Sequence, residues 1–286
     1  MLPPNEFICP YSKEVFVVDN VLDARWQYRT RMSMHCHKYK RRKHIDGALY
    51  SDIFMDNAEI IDIKAGHSVD IVIQLGNGMT TTVTAFVDID DDNKHLQNCK
   101  SIAQMLSRKT ANTFRKRTSD KGNMYVVGNG RKGDGSSGTY QLTNIDGVRQ
   151  LLRQLTISAE YYYRKNHLSH HIDMMRSKKH HNTITSMKGA FVCSVATSHN
   201  LKNAAHYDVY DTHHSIVTWT KDDHTTLDFW YFILPNVTRD NKRALVIKVK
   251  HGLTISLDAK KVMHCSTYKS NCYPCDVYGT AFFVNN

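Results

Sequence analysis

The feature of this sequence that most limits its fold is the succession of short apolar segments after Met187. These segments are rich in β-branched and aromatic residues, and most are separated by turns that contain Gly, Pro, Asn or Asp. They span residues 190–195, 215–219, 227–234, 244–249, 253–257 and 280–284. Short strands at this spacing are typical of a β-sandwich or a barrel. The C-terminal part of the chain is therefore predicted to be all-β.

The N-terminal part combines further strands with two helices. The predicted strands cover residues 14–18, 58–63, 69–73 and 80–87, with a hairpin turn at Gly76-Asn77-Gly78. Helical periodicity predicts helices at 93–117 and 146–165. The predicted apolar sides are Leu96, Cys99, Ile102, Met105 and Leu106 in the first helix and Val148, Leu151, Leu152, Leu155, Ile157 and Tyr161 in the second. An α+β protein is expected.

A glycine-rich segment, residues 126–138, lies between the two predicted helices. It contains Gly128, Gly130 and Gly133 at the spacing of a dinucleotide-binding fingerprint, which requires a helix to begin at the third glycine. Here the residues that follow are Asp134-Gly-Ser-Ser-Gly138, which cannot begin a helix. We interpret the segment as a flexible loop, with closure over a substrate as one function for it.

The charge of the chain indicates a polyanionic partner. There are 38 Lys and Arg residues against 27 Asp and Glu, a formal net charge of +11. Basic clusters of this kind neutralise phosphate groups and release their counterions. The residues taken as candidate nucleic-acid contacts are Lys40, Arg41, Arg42, Lys43, Arg115 and Lys116. The first cluster is also compatible with a nuclear-localisation patch, and a merely solvated basic face is the alternative.

The termini and cysteines predict an intracellular protein, nuclear or cytoplasmic, that does not enter a membrane. The N-terminus lacks the basic start and apolar stretch of a secretory signal, and the seven cysteines are odd in number and scattered. Cys272 and Cys275 form a C-x-x-C motif that is compatible with half a zinc site, a redox pair or two reduced cysteines in a loop. The oligomeric state is left open.

The residues that carry chemistry are predicted to be His206, Asp208 and His264. Residues i and i+2 of a strand point to the same side, so His206 and Asp208 can both face the interior of a barrel. A histidine from a distant strand then completes a set of two imidazoles and one carboxylate. This set suits Fe(II) and leaves positions for O₂ and a chelating co-substrate.

Other histidines compete for this assignment. H-x-D motifs also occur at His44-Ile45-Asp46 and His171-Ile172-Asp173, and a chain with 17 histidines is expected to contain about one such motif by chance. Only His206-Tyr207-Asp208 lies among predicted strands with a histidine suitably placed downstream. His251 is the alternative to His264, but it precedes Gly252 in a predicted turn.

These motifs resemble those of the Fe(II)/2-oxoglutarate oxygenases. The resemblance covers about residues 188–286 and rests on the segment from Asn203 to Asp208, the strands after it, and the segment from Gly252 to His264. It implies a double-stranded β-helix (jelly-roll or cupin-like) core at 188–286, with flanking helices and a β-rich N-terminal elaboration at 1–187, in one continuous domain. Basic charge and the N-terminal elaboration resemble the TET/JBP-like branch that modifies nucleic acids.

The resemblance also implies a co-substrate site. Members of the family place a basic residue beyond the distal histidine to pair with the far carboxylate of 2-oxoglutarate. Lys269 is the basic residue that follows His264, and it comes earlier than the family pattern; Arg243 and Lys248 are the alternatives. Ser266 is expected to line the same pocket. If no basic side chain reaches it, ascorbate is a possible substitute for 2-oxoglutarate.

Three neighbours of the motif have two interpretations each. Asn203 either orients substrate or shapes the approach to the strand. Asp211 either hydrogen-bonds a ligand histidine or caps a turn. His213 either contacts substrate or is an exposed histidine at the rim.

The sequence thus predicts an Fe(II)-dependent dioxygenase that oxidises a C–H bond, with O₂ and 2-oxoglutarate, on a methylated base of a nucleic acid. One alternative is the same oxygenase acting on a protein or a small molecule. The other is a non-catalytic basic protein that binds nucleic acid through a structural barrel.

Overall fold

The computed structural model of the chain describes residues 12–19, 58–75, 79–90, 93–109, 121–131, 137–166, 168–177, 194–203, 206–208, 211, 214–222, 230–235, 237, 244–268 and 276–283. The boundary expected between residues 187 and 188 lies outside these ranges.

Strands and helices follow one another along the chain much as the sequence predicts. The strands are β1 (Ser12–Asp19), β2 (Ala58–Ile61), β3 (His67–Gln74), β4 (Thr80–Val87), β5 (Lys121–Val127), β6 (Asn129–Arg131), β7 (Ser137–Thr139), β8 (Ser194–Lys202), β9 (His214–Lys221), β10 (Trp230–Leu234), β11 (Ala244–Lys248), β12 (Leu253–Asp258), β13 (Cys265–Tyr268) and β14 (Val277–Phe283). The helices are α1 (Lys94–Lys109), α2 (Val148–Lys165) and α3 (Ser169–Ser177), with a short 3-10 helix at Gln141–Asn144. In the described part of the chain, no helix is both long and apolar enough to cross a membrane.

Two sheets form the framework. The large sheet has the order β1-β3-β4-β12-β9-β14-β8-β5 and the small sheet the order β13-β10-β11-β2. Neighbouring strands are antiparallel except β1 with β3 and β2 with β11. Strands from the C-terminal segment lie side by side in both sheets, and strands from the N-terminal segment extend the edges. This is a double-stranded β-helix core with a β-rich N-terminal elaboration, as predicted.

The first core, which we call the inner cluster, lies between the two sheets. In β3 every second residue is buried, which places Val69, Ile71 and Ile73 on the face toward the small sheet. From the small sheet, Phe232 and Ile247 pack into the same cluster. Alternation of this kind fixes which side of each strand faces the core, because a register shift of one residue would reverse it.

The second core lies between the opposite face of the large sheet and the helices. Leu96, Cys99, Ile102 and Leu106 of α1 are buried there, as predicted. The prediction for α2 was partly wrong, since Ile157 is 52% and Tyr161 is 75% exposed. The buried side of α2 consists of Val148, Leu152, Leu155, Ala159, Tyr162 and Tyr163. At about 100° per residue these positions share one face, and Ile157 and Tyr161 lie on the other.

His95 lies inside this second core and is 1% exposed. Its Nε2 is 3.2 Å from the Tyr163 hydroxyl, its Nδ1 is 3.3 Å from the Ser158 hydroxyl, and its ring stacks on Tyr162 with centroids 4.6 Å apart. Burial lowers the pKa of His95 to about 3, because the charged imidazolium is poorly solvated there. His95 is thus a neutral core residue with hydrogen-bonding neighbours.

The glycine-rich segment differs from the prediction of a flexible loop. Asn129–Arg131 and Ser137–Thr139 pair as a two-stranded antiparallel sheet, and Gly128 adopts a positive φ of 94° before β6. Residues 132–136 between the two strands lie outside the described ranges. Hairpin pairing satisfies backbone groups that a loop would leave to water, and short polar strands of this kind carry little sequence signal.

Candidate metal centre

A backbone bridge brings the two halves of the predicted site together. Beyond the end of β8, His206 N donates to His264 O and His264 N donates to His206 O, each at 3.0 Å. His264 immediately precedes β13, so the H-x-D segment lies beside the start of that strand. The strand predicted for His206 and Asp208 is reduced to this single bridge. Asp208 N donates to Ala259 O at 2.9 Å instead, which turns the segment toward the loop after β12.

His206, Asp208 and His264 converge. Among the described residues they are the one group of three His, Cys, Asp or Glu side chains whose ligand atoms all lie within 4.8 Å of one another. Nε2 of His206 is 3.4 Å from Oδ1 of Asp208, and Nε2 of His264 is 3.5 Å from Oδ2. Both histidines are buried, whereas the Asp208 side chain is 36% exposed. The cluster is therefore open to solvent on the carboxylate side.

The electrostatics of the cluster favour an anionic Asp208. Burial by itself raises the pKa of its carboxyl group, but the His206 and His264 imidazoles outweigh this effect and hold the pKa well below its ordinary value. Burial alone would lower the pKa of His264. The hydrogen bond and the charge of Asp208 outweigh burial, and the pKa is raised above its ordinary value. A divalent cation held by the three side chains would take the place of the positive charge on the imidazole.

The orientation of His264 is fixed from two sides. Its Nδ1 lies 3.1 Å from Val262 O, and because a carbonyl only accepts, this nitrogen must carry the proton. The Nε2 atom is then directed toward Asp208 Oδ2, 3.5 Å away. The ring also stacks on Phe232 of β10, with centroids 5.8 Å apart. A ligand histidine held by a backbone carbonyl in this way has a set tautomer and ring angle before any metal binds.

Asn203 connects the two ligand segments through the backbone. Its Oδ1 accepts from Ser266 N at 2.6 Å and from Ser266 Oγ at 3.0 Å, while Asn203 N donates to Ser266 O at 3.1 Å. Of its two predicted interpretations, these contacts favour shaping the approach to the motif over orienting substrate. The Ser266 hydroxyl also lies 3.1 Å from Leu201 O, so its predicted contact with a co-substrate competes with existing partners.

Asp211 is buried next to the cluster. Its backbone N donates to Asp208 O at 2.9 Å, and its Oδ2 accepts from the Ser215 hydroxyl at 2.6 Å. Burial and the charge of Asp208 raise the pKa of Asp211 to about 7. His264 does not make the predicted hydrogen bond to Asp211, because its Nδ1 lies 3.1 Å from Val262 O instead.

The structure places Lys248 away from the interior. It pairs in register with Tyr231, whose side chain lies on the face of the small sheet opposite to Phe232. Lys248 Nζ binds Asp62 Oδ2 at 2.8 Å, and the two side chains are 39% and 46% exposed. The prediction of a carboxylate clamp at Lys248 is therefore disfavoured, because alternation along β11 directs the side chain to the wrong face.

A lysine that the sequence reading missed lies near β13. The Nζ of Lys202, the last residue of β8, is 5.7 Å from the centre of the Tyr268 ring. Tyr268 packs against Trp230 with centroids 4.5 Å apart, and both share the inner face of the small sheet with Phe232. The Trp230 Nε1 is buried without a hydrogen-bond partner among the described residues. Lys202 ends a strand of ordinary composition, so no local sequence signal marked it.

The other candidate residues do not join the cluster or cannot be placed. His251 lies in a turn, where its Nδ1 accepts from Lys221 N at 3.2 Å, as its predicted turn position implied. The other described H-x-D motif, His171-Ile172-Asp173, lies on α3. There His171 contacts Ser256, whereas Asp173 pairs with Arg164, so these two side chains do not converge on a common site. Outside the described residues lie Lys40, Arg41, Arg42, Lys43, Asp46, Arg115, Lys116, His213, Arg243, Lys269, Cys272 and Cys275.

Comparisons with known proteins were made by sequence and by structure. A scan against protein-family models found no match, and a search of curated proteins found none. Among solved structures, "NgTET1 in complex with 5mC DNA" matches with 11% identity and a TM-score of 0.56, covering 80% of this chain and 83% of that one.

Two further structures match less closely. A prolyl-4-hydroxylase from Pseudomonas putida has 8% identity and a TM-score of 0.41, covering 71% of this chain and 92% of its own. A 2OG-Fe(II) oxygenase family protein from Burkholderia pseudomallei has 11% identity and a TM-score of 0.35, covering 65% and 79%. The likeness to the structure with a TM-score of 0.56 concerns the fold alone, and it confirms the double-stranded β-helix that the resemblance implied.

Proposed function

We propose that this chain is an Fe(II)- and 2-oxoglutarate-dependent dioxygenase that oxidises a C–H bond. The observation that carries the proposal is the convergence of His206, Asp208 and His264, two imidazoles and one carboxylate, with their ligand atoms within 4.8 Å of one another. Structural zinc sites instead close four ligands around the ion. A three-ligand set with one open side suits Fe(II), which keeps positions for O₂ and a co-substrate.

The residues present fit such a metal. Asp208 is anionic, the ring of His264 is fixed by Val262 and Phe232, and the open side of the cluster coincides with the exposed carboxylate. Iron bound there would supply the activation of O₂ that removal of hydrogen from an unactivated C–H bond requires. The protein itself holds the ligands at set angles and excludes water from the two buried imidazoles.

The neighbourhood of β13 supports 2-oxoglutarate as co-substrate. We assign Lys202 as the residue that pairs with the far carboxylate, in the role predicted for Lys269, Arg243 or Lys248. Lys202 Nζ lies 5.7 Å from the centre of the Tyr268 ring, and Trp230, whose indole N–H has no partner among the described residues, packs against the same ring. An ammonium group and a free N–H donor together suit a carboxylate.

A nucleic acid with a methylated base is the proposed substrate. The net charge of +11 favours a polyanion, and the neighbour with a TM-score of 0.56 was solved with 5mC DNA. A duplex would have to extrude the target base to bring it to the cluster. A protein or small-molecule substrate remains the second candidate for the same iron site.

The experiment that tests the iron site is anaerobic titration with Fe(II), followed by 2-oxoglutarate, while the metal-to-ligand charge-transfer band is recorded. Wild type is expected to develop the band and His206→Ala to lack it. His251→Ala is the matched control, since His251 lies in a turn outside the cluster. Iron binding without the band would point to another co-substrate, and absence of iron binding would refute the oxygenase.

Substitution of Lys202 tests the co-substrate site. Lys202→Ala is expected to raise the KM for 2-oxoglutarate about 10- to 150-fold with a smaller change in kcat, since a charge-assisted contact contributes about 1.5–3 kcal/mol. Lys202→Arg should restore part of the affinity. Lys248→Ala is the control and should leave the KM unchanged, because its Nζ is engaged by Asp62. Equal effects at both positions would refute the assignment of Lys202.

The substrate is tested by product analysis on DNA with and without 5-methylcytosine. Turnover confined to methylated DNA, weakening steeply with salt, is expected. Consumption of 2-oxoglutarate stimulated only by peptides or small molecules would favour the second candidate.

A further inference from the structure

One side of α2 carries an unusual row of exposed residues, which we call the α2 row: Arg149, Arg153, Ile157, Tyr161 and Lys165. All five are exposed. They recur at intervals of four residues, and residues spaced in this way form a continuous ridge along a helix, with successive positions about 6 Å apart. The row spans the full length of the helix, opposite the face that packs on the large sheet.

No carboxylate in the described part of the chain pairs with a cation of the α2 row. Arg153 and Lys165 make no ion pair with any residue in the described ranges, and Arg149 donates to the neutral side-chain oxygen of Asn144 at 2.6 Å. The acidic residue of α2, Glu160, is bound by Arg164, which also binds Asp173 at 2.7 Å. The α2 row therefore presents three positive charges in line.

Two large apolar side chains interrupt these charges. Tyr161 is 75% and Ile157 is 52% exposed, and they are neighbours one turn apart. Both were predicted as core residues from the sequence, and the structure exposes them instead. Cationic side chains alternating with an exposed aromatic ring are the combination that binds single-stranded nucleic acid, where phosphates contact the cations and a base stacks on the ring.

The adjacent helix adds a further cation at one end. Asn98 Nδ2 lies 3.0 Å from Ser158 Oγ, and Met105 packs near Gly147, so α1 and α2 are antiparallel. The exposed Arg108, one turn beyond Met105, therefore lies at the same end as Arg149. The positive surface continues past the start of α2.

We propose that the α2 row is a docking surface for single-stranded nucleic acid, distinct from the metal centre. Its helix packs on one face of the large sheet, whereas His264 stacks on Phe232 of the inner cluster on the other face. The surface would hold a strand away from the reacting atoms and raise its local concentration. The inference rests on the proposed function only in the choice of nucleic acid as the polyanion.

The test is fluorescence anisotropy of the full chain, without iron, with a labelled oligo(dT) over a range of salt concentrations. Arg149→Glu with Arg153→Glu is expected to weaken binding at least about tenfold and to reduce the salt slope by about 1.4, since each lost phosphate contact contributes about 0.7 for a single strand. Tyr161→Ala should weaken binding about tenfold with an unchanged salt slope, and Tyr161→Phe should retain most of it.

Lys64→Glu with Lys248→Glu is the matched control, because it changes the net charge equally at residues outside the helical layer. Equal losses in this control and in the arginine pair would overturn the proposal, since they would reflect net charge alone. A duplex that loses as much affinity as oligo(dT) in Tyr161→Ala, or a poly-glutamate peptide that binds wild type as tightly as oligo(dT), would also overturn it. Circular dichroism confirms that each variant is folded.

Binding at the α2 row and the proposed enzyme activity can be tested separately. Asp208→Ala should bind oligo(dT) like wild type, because the α2 row is intact. Loss of oligo(dT) binding in the arginine pair, in a protein that turns over no methylated DNA, would support the docking surface and refute the proposed substrate. Turnover with unaltered oligo(dT) binding in the same pair would do the reverse.

Discussion

Two buried regions of this protein contain histidines, and they use them in opposite ways. His95 lies in the second core, between the large sheet and the helices, where hydroxyls and aromatic rings surround it. Burial lowers the pKa of His95 to about 3. His264 at the candidate metal centre is 8% exposed, yet its pKa is raised because Asp208 lies 3.5 Å away. The two residues have similar burial and opposite shifts.

The comparison shows that burial does not by itself make a histidine functional. His95 has no carboxylate partner in the contacts that hold it, so it is neutral and its hydrogen bonds hold α1 and α2 together. His206 and His264 meet a partly exposed carboxylate at the end of a barrel. What makes them candidate ligands is the shared anionic partner and the open side.

The largest expected effect is a loss of activity and of iron binding when the candidate metal centre, and not the second core, is altered. Asp208→Ala should abolish turnover and weaken Fe(II) binding by more than about 100-fold, because loss of a direct ligand exceeds the 10–100-fold effect of losing an outer partner. Isothermal titration with Fe(II) under anaerobic conditions measures the affinity. An active Asp208→Ala variant would refute the assignment of His206, Asp208 and His264 as the reaction centre.

The second effect is on stability rather than on chemistry. His95→Ala should lower the free energy of unfolding by about 2–4 kcal/mol, since it leaves a cavity and removes a hydrogen-bonding neighbour of Tyr163 and Ser158. Urea denaturation measures the change, and the Fe(II) affinity of the folded variant should equal that of wild type. A His95 variant that is fully stable but binds no iron would break the distinction between the regions.

The smallest effect is a pH dependence. The folded pKa of His95 is about 3 and the unfolded value is about 6.5, so between these values the unfolded state carries more protons. Stability should therefore fall as the pH decreases below about 6.5, by up to about 1.4 kcal/mol per unit from this residue, and be unaffected above it.

Comparison of His95→Gln with wild type isolates that contribution. The variant should lose less stability between about pH 6.5 and about pH 5, as measured by urea denaturation at each pH. Part of the slope should remain, because burial and the charge of His214 also lower the pKa of His171 to about 3. Identical slopes in variant and wild type would mean that His95 is hydrated in the folded protein.

Local sequence patterns predicted the elements that depend on local chemistry. The β-branched run at Thr80–Val87 forms β4 over the same residues, and the apolar spacing of α1 matches its buried side. The pattern failed at Ile157 and Tyr161, where large apolar residues lie outside the helical stripe that the core selects. It also missed β5 and β13, which are short or polar strands that their neighbours in the sheets stabilise.

The sequence by itself determined the types of the candidate ligands, because H-x-D followed by a distant histidine in a strand-rich segment limits the metal chemistry that these residues can support. Only the tertiary structure decided which atoms meet. The bridge between His206 and His264 spans a long stretch of chain, and only the folded chain brings Lys202 to Tyr268 and Lys248 to Asp62. Contacts between distant segments follow from strand order and register, which no local window of sequence contains.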